Sequence, residues 1–80
     1  LDEHEVDLGD LIFSVTRMMA SRAFGNNLRL KTDVDKSLPH LYADQRLVRQ
    51  ILINLVANAV KFSKPGGAID VGARALQDGR

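Results

Sequence analysis

Eighty residues allow one domain with a thin core, because a chain this short buries only a little over half of its unfolded surface. A content of 45% hydrophobic and 26% charged residues is too apolar for disorder, and a net charge of +1 gives no argument for a polyanionic partner such as nucleic acid. The absence of cysteine excludes disulfides, thiolate zinc sites and cysteine nucleophiles, and no apolar run approaches the roughly 20 residues that span a bilayer.

Residues 3–6 (EHEV) form a short strand candidate. Asp7 then caps a helix, with Asp10 near the positive end of its dipole. Leu8, Leu11, Ile12, Val15, Met19 and Ala23 recur at helical spacing, and the helix is expected to end near Gly25-Asn26, both tolerant of left-handed backbone angles. In LRLKTDV, residues 28–34, apolar and charged side chains alternate as in a half-buried strand. DKSLP breaks that strand, LYA (41–43) gives a short one, and Asp44 caps a second helix over about Gln45 to Phe62 or Ser63. Pro65-Gly66-Gly67 stops this helix, AIDVGARA (68–75) alternates again, and Gln77-Asp78-Gly79 reads as a hairpin turn without its second strand. The order β-α-β-(β)-α-β predicts a two-layer α/β sandwich, a mixed sheet with both helices on one face. The open hairpin predicts an exposed sheet edge and some exposed apolar surface.

The second helix carries the unusual residues. With Gln50 at zero and about 100° per residue, Lys61 falls at about 20°, Asn54 at about 40° and Asn58 at about 80°. The apolar arc, from Ile51 through Leu55, Val48 and Leu52 to Val56 and Val60, begins at about 100°, which puts Asn58 at its seam with the polar face. Three readings of the asparagine pair stand open: hydrogen bonding to a neighbouring loop, amide pairing across a helix interface, and a ligand site. For the last, an amide oxygen is a hard neutral ligand suited to Mg²⁺, and a lysine one turn beyond meets a phosphate as a point charge.

The segment DQRLVRQILINLVANAVKFSKPGGAIDV, residues 44–71, resembles the opening of the catalytic, ATP-binding domain of sensor histidine kinases. The family pattern there is an Asp, then R-L-x-Q-I-L-x-N-L-x-x-N-A-x-K-F-S/T, then a Gly pair and a strand. Asp44, Arg46, Leu47, Gln50, Ile51, Leu52, Asn54, Leu55, Asn58, Ala59, Lys61, Phe62, Ser63, Gly66 and Gly67 match it. Upstream, Asp7-Leu8 with Leu11-Ile12, the alternating strand and Leu38-Pro39 fit the family's weaker signals, so the resemblance covers nearly the whole chain.

The resemblance implies a truncated Bergerat-type ATP-binding fold, with ATP and Mg²⁺ as ligands. Asn58 matches the family's Mg²⁺ ligand and Asn54 the other asparagine of its N box, which lines the phosphate and metal region. Lys61 matches a residue reaching toward the phosphates. Phe62 matches the aromatic position beside the nucleotide, with a place in the core as its competing reading. Gln50 lies near the same face, and Arg46 reads as a solvated charge. Hydrolytic relatives in the superfamily, among them DNA gyrase, a heat-shock chaperone and a mismatch-repair ATPase, usually carry Glu where this chain has Asn54. A carboxylate there acts as general base toward water and an amide does not, so Asn54 favours phosphoryl transfer over hydrolysis.

Residues 1–80 are expected to be part of such a domain, ending before the family's Gly-rich boxes and lacking the dimerisation and phospho-acceptor domain. His4 and His40 read as ordinary surface residues rather than the phosphorylated histidine. The isolated chain is expected to bind ATP weakly or not at all and to be inactive. In the whole protein its partners are expected to be the dimerisation/phospho-acceptor domain and a response regulator, with this segment cytoplasmic and free of membrane contact. The alternatives are a degenerate kinase-like module that binds a partner without catalysis, and a superfamily ATPase.

Overall fold

A computed structural model of the chain describes residues 2–73. The elements run β1 (Glu3–Val6), α1 (Leu8–Gly25), β2 (Arg29–Val34), β3 (Leu41–Asp44), α2 (Gln45–Phe62) and β4 (Ala68–Ala73). The expected end of the last strand at Ala75 and the expected turn at Gln77-Asp78-Gly79 lie outside the described residues.

Both strand directions are present, divided between two ladders. β1 pairs antiparallel with β3, with Glu3 opposite Asp44 and Val6 opposite Leu41. β2 pairs parallel with β4, with Arg29 opposite Ala68 and Val34 opposite Ala73. A parallel pair needs a long crossover, and here it contains β3 and α2. Leu30, Thr32 and Val34 of β2 and Ile69, Val71 and Ala73 of β4 are half-buried, while the residues between them are exposed. The helices therefore cover one face of this ladder and water covers the other. At Gly72 the two strands come so close that a Cβ would collide with the Asp33 carbonyl oxygen, which restricts that position to glycine.

The core follows the α1 pattern. Leu11, Ile12, Val15, Met19 and Ala23 are buried, and Val15, Met19 and Ala23 form one cluster with Val56 and Val60 of α2 and Leu28 beyond the helix. α1 starts at Asp7, whose Oδ1 accepts from the Asp10 N–H at 3.1 Å. It ends in a Schellman motif: the Leu28 N–H reaches the Ala23 carbonyl and the Asn27 N–H reaches the Phe24 carbonyl, both at 2.9 Å. Asn27, at φ 56°, is the left-handed residue. The sequence places that role at Gly25-Asn26, one or two residues early, because Gly25 continues the helix and Asn26 caps it while its side chain donates to the Arg22 carbonyl.

The turn after α2 is joined to the turn after α1. The Gly66 N–H donates to the Asn27 carbonyl at 2.7 Å, and the Arg29 N–H donates to the Gly67 carbonyl at 3.1 Å. Gly66 has φ 90°, which explains the glycine after Pro65. Backbone bonds thus fix where α2 ends relative to α1.

Candidate functional site

α2 is anchored at its start by one buried carboxylate. Asp44 Oδ1 accepts from the Arg46 N–H at 3.0 Å, capping the helix, and Oδ2 accepts from the Asp2 N–H at 3.2 Å. The Asp2 bond is the main cause of an Asp44 pKa below the ordinary carboxylate value; burial opposes it, and the Arg46 N–H, the Arg46 charge and the Leu47 N–H add to it. The sequence shows the cap, since Asp precedes the apolar-periodic run. It does not show the second bond, because nothing local links Asp2 to a residue 42 positions away.

The structure rotates the buried face of α2 from the expected arc. Val56 and Val60 are buried, and Leu52, Ile53 and Ala57 pack partly against them. Leu47, Ile51 and Leu55 are 51%, 58% and 61% exposed. The sequence puts Ile51 and Leu55 in the apolar arc, but among the described residues the packing centres on Val56 and Val60, and Leu55 only borders an open cleft with Ile69 and Val71 of β4. Arg49 marks the α1 side, donating from Nη1 to Ser14 Oγ at 3.3 Å.

Asn54, Asn58, Lys61 and Phe62 all stand on the uncovered side. Asn58 is not at a seam with the core; it lies within the exposed apolar stripe of Leu47, Ile51, Leu55 and Phe62. Phe62 is 76% exposed, so it takes no part in the core formed by the described residues. The Lys61 ammonium lies 5.3 Å from the centre of the Phe62 ring, so cation and aromatic face adjoin at the end of the helix. Gln50 Nε2 donates to Asn54 Oδ1 at 3.1 Å. That bond engages the Asn54 carbonyl oxygen and leaves its amide nitrogen to donate outward.

This face therefore offers an amide nitrogen from Asn54, an amide oxygen from Asn58, an ammonium and an aromatic ring, framed by apolar side chains. Among the described residues no group of three or more His, Cys, Asp or Glu side chains is arranged to hold a metal ion. His4 and His40 are exposed; His4 is paired opposite Ala43 in the β1–β3 ladder, and His40 sits 3.6 Å from Glu5 Oε1 and 3.5 Å from Asp7 Oδ2. No helix among the described residues is long and apolar enough to cross a membrane.

No family model matches the chain. Against curated proteins it is 38% identical over 73 residues to the adaptive-response sensory kinase SasA of Synechococcus elongatus, covering 91% of the chain and 19% of that protein. It is 37% identical over 67 residues to SasA of Prochlorococcus marinus strain AS9601, covering 84% of the chain and 18% of the relative. The chain thus spans about a fifth of the curated relatives it matches. Among solved structures, the catalytic domain of histidine kinase ThkA superposes with a TM-score of 0.86 at 25% identity, covering 95% of this chain and 52% of ThkA. Full-length ShkA, solved in complex with AMPPNP, gives a TM-score of 0.86 at 35% identity over 96% of this chain and 16% of ShkA. Named sensory kinases in sequence and histidine kinase catalytic domains in backbone agree on one placement: the chain belongs to the sensor histidine kinase family, as part of its ATP-binding catalytic domain.

Proposed function

We propose that the exposed face of α2 is one wall of a Mg-ATP site, used in the whole kinase to pass the γ-phosphoryl group of ATP to a histidine on a separate dimerisation domain. The observation that carries this reading is the grouping of Asn54, Asn58, Lys61 and Phe62 on a face of α2 that nothing else covers among the described residues. The donor set fits the metal: Mg²⁺ takes one or two protein oxygens and shares its remaining positions with water and phosphate, so a lone amide oxygen suffices without a cluster of carboxylates, and none is found among the described residues. Asn58 would hold it, and when bound it would neutralise phosphate charge. Asn54, its oxygen engaged by Gln50, donates from nitrogen toward a phosphate oxygen. Lys61 supplies a mobile positive charge, and Phe62 an aromatic surface for the base or ribose. With no carboxylate at position 54, no side chain there takes a proton from water, and positioning and charge stabilisation are the chain's contribution.

The same reading extends to partners and place. ThkA has been solved in complex with the response regulator TrrA. We extend that class of partner to the whole kinase containing this segment, and place the segment in the cytoplasm, where ATP and the regulator are.

In the complete kinase, Asn58→Ala is expected to abolish autophosphorylation. Because the side chain is exposed, stability should change by no more than about 0.5 kcal/mol. Undiminished phosphorylation in a folded variant would remove the assignment. The 80-residue chain alone should show no micromolar binding of Mg-ATP by calorimetry, since it supplies one wall only; micromolar affinity would mean that a full pocket exists within it.

A further inference from the structure

β2 pairs with β4 along one edge, and among the described residues its other edge carries no strand. The Arg29 N–H and the Asp35 N–H both donate to β4-side carbonyls, those of Gly67 and Ala73. Odd-numbered residues therefore turn their backbone polar groups toward β4. Leu30, Thr32 and Val34 turn theirs to the open edge. An open edge of this kind pairs readily with another strand, and charged side chains on it commonly do no more than hold water there.

The order of the charges on β2 is more specific than that. Its solvent face reads Arg29, Lys31, Asp33, positive then negative. Antiparallel pairing of β2 with a second β2 around a two-fold axis at Thr32 sets Lys31 opposite Asp33 of the other copy, twice. It also sets Arg29 opposite position 35, another aspartate. On the helix-facing side the same register sets Leu30 opposite Val34. The backbone agrees: Leu30/Val34 and Thr32/Thr32 become the hydrogen-bonded pairs, which are the residues whose polar groups face the open edge. The neighbouring registers fail. Centring on Lys31 or Asp33 puts like charges face to face, and centring on Leu30 sets Arg29 against Lys31. Neither Lys31 nor Asp33 has an ion-pair partner within 4.0 Å among the described residues, so both are available to a second chain. Beside Val34, Phe13 and Leu38 line a groove that contains no β4 residue, where an incoming Leu30 finds apolar contact.

We propose that β2 is a self-complementary edge at which two copies of this chain pair antiparallel about Thr32, joined by reciprocal Lys31–Asp33 contacts.

The test uses the 80-residue chain in sedimentation equilibrium across a concentration series. The wild-type chain should approach twice its monomer mass as concentration rises, and high salt should weaken the association. Lys31→Asp gives a chain with Asp at both 31 and 33; Asp33→Lys gives one with Lys at both. Each alone should dimerise about ten-fold or more weakly, since two attractive cross-strand pairs become repulsive. An equimolar mixture should dimerise again, because every Lys then meets an Asp. Circular dichroism checks that each variant is folded. A Thr32→Cys chain, the only thiol in the protein, covers the case in which a charge variant fails to fold: mild oxidation should link it into a covalent dimer, whereas Val71→Cys on β4 should stay unlinked. A wild-type chain that remains monomeric, a mixture that behaves like its components, or cross-linking through position 71 in place of 32 would each overturn the proposal. The last outcome would assign the interface to the β4 edge.

Discussion

Replacing Asn27 probes the left-handed turn between α1 and β2 with two substitutions that differ in expected effect. At φ 56° an ordinary L-residue pays roughly 1–2 kcal/mol, less for asparagine, whose short polar side chain bonds locally. Alanine has no such relief, and the structure closes its escape routes. The Asn27 N–H is held by Phe24 and its carbonyl by Gly66, while Leu28, 4% exposed, must enter the core immediately after. Relaxing residue 27 into the right-handed helical region would extend α1 and swing Leu28 out by about 100°. Asn27→Ala should therefore cost about 1 kcal/mol. Asn27→Gly removes the steric penalty but enlarges the unfolded ensemble by about 0.4–1 kcal/mol, so it should fall within about 0.5 kcal/mol of the parent. Urea unfolding followed by circular dichroism resolves the difference. At an m-value of about 1 kcal/mol/M for a chain of this size, the alanine variant should lose about 1 M in midpoint with the slope unchanged. An alanine variant as stable as the glycine variant would show that solution does not hold residue 27 left-handed.

Further tests address the sheet, the cap and the site. Gly72→Ala should destabilise by about 1–3 kcal/mol, because its Cβ meets the backbone oxygen of Asp33, which no rotamer change relieves; thermal melts would show it, and an unchanged Tm would refute the close approach. Asp44 has its pKa lowered on folding, so its carboxylate contributes stability that is fully present above the ordinary value of 3.8 and is lost as pH falls through the folded-state pKa. Asp44→Asn should accordingly be less stable than the parent at neutral pH, with the gap narrowing below pH 3.8; a gap independent of pH would assign the loss to geometry alone. In the complete kinase, Asn54→Glu should shift ATP consumption from phosphorylated histidine toward free phosphate, measured as the ratio of the two products; an unchanged ratio would remove the role given to the amide.

The elements were legible because their signals are local. The α1 stripe from Leu11 to Ala23, the alternation in β2 and β4 and the Asp7 and Asp44 caps each follow from side chains a few positions apart. The division of the strands into two ladders was not legible, since register between distant segments leaves no local trace. The buried face of α2 was not legible for a related reason. Ile51 and Leu55 continue the apolar arc of Leu52 and Val56, and hydrophobicity alone does not say which part of a wide arc the rest of the chain reaches. The Asn54–Lys61 constellation was legible as a pattern of residue types. Gln50 orienting Asn54 depends on side-chain rotamers, and Asp44 holding Asp2 depends on the β1–β3 pairing.

The parallel ladder sets an order of events on the ribosome. Arg29 is made well before its partner Ala68, which lies 39 positions further along the chain. At 5–20 residues per second, β2 leaves synthesis roughly 2–8 s before β4 exists to pair with it. During that interval α1 has helical periodicity but lacks the Val56 and Val60 floor, and both edges of β2 stand open, the one that β4 later closes and the one that carries no strand among the described residues. The charges of β2 then oppose pairing in the registers that set like charges face to face, and a substitution of Lys31 or Asp33 by an apolar residue should appear first as a lower soluble yield from expression, before any loss of stability in the purified chain.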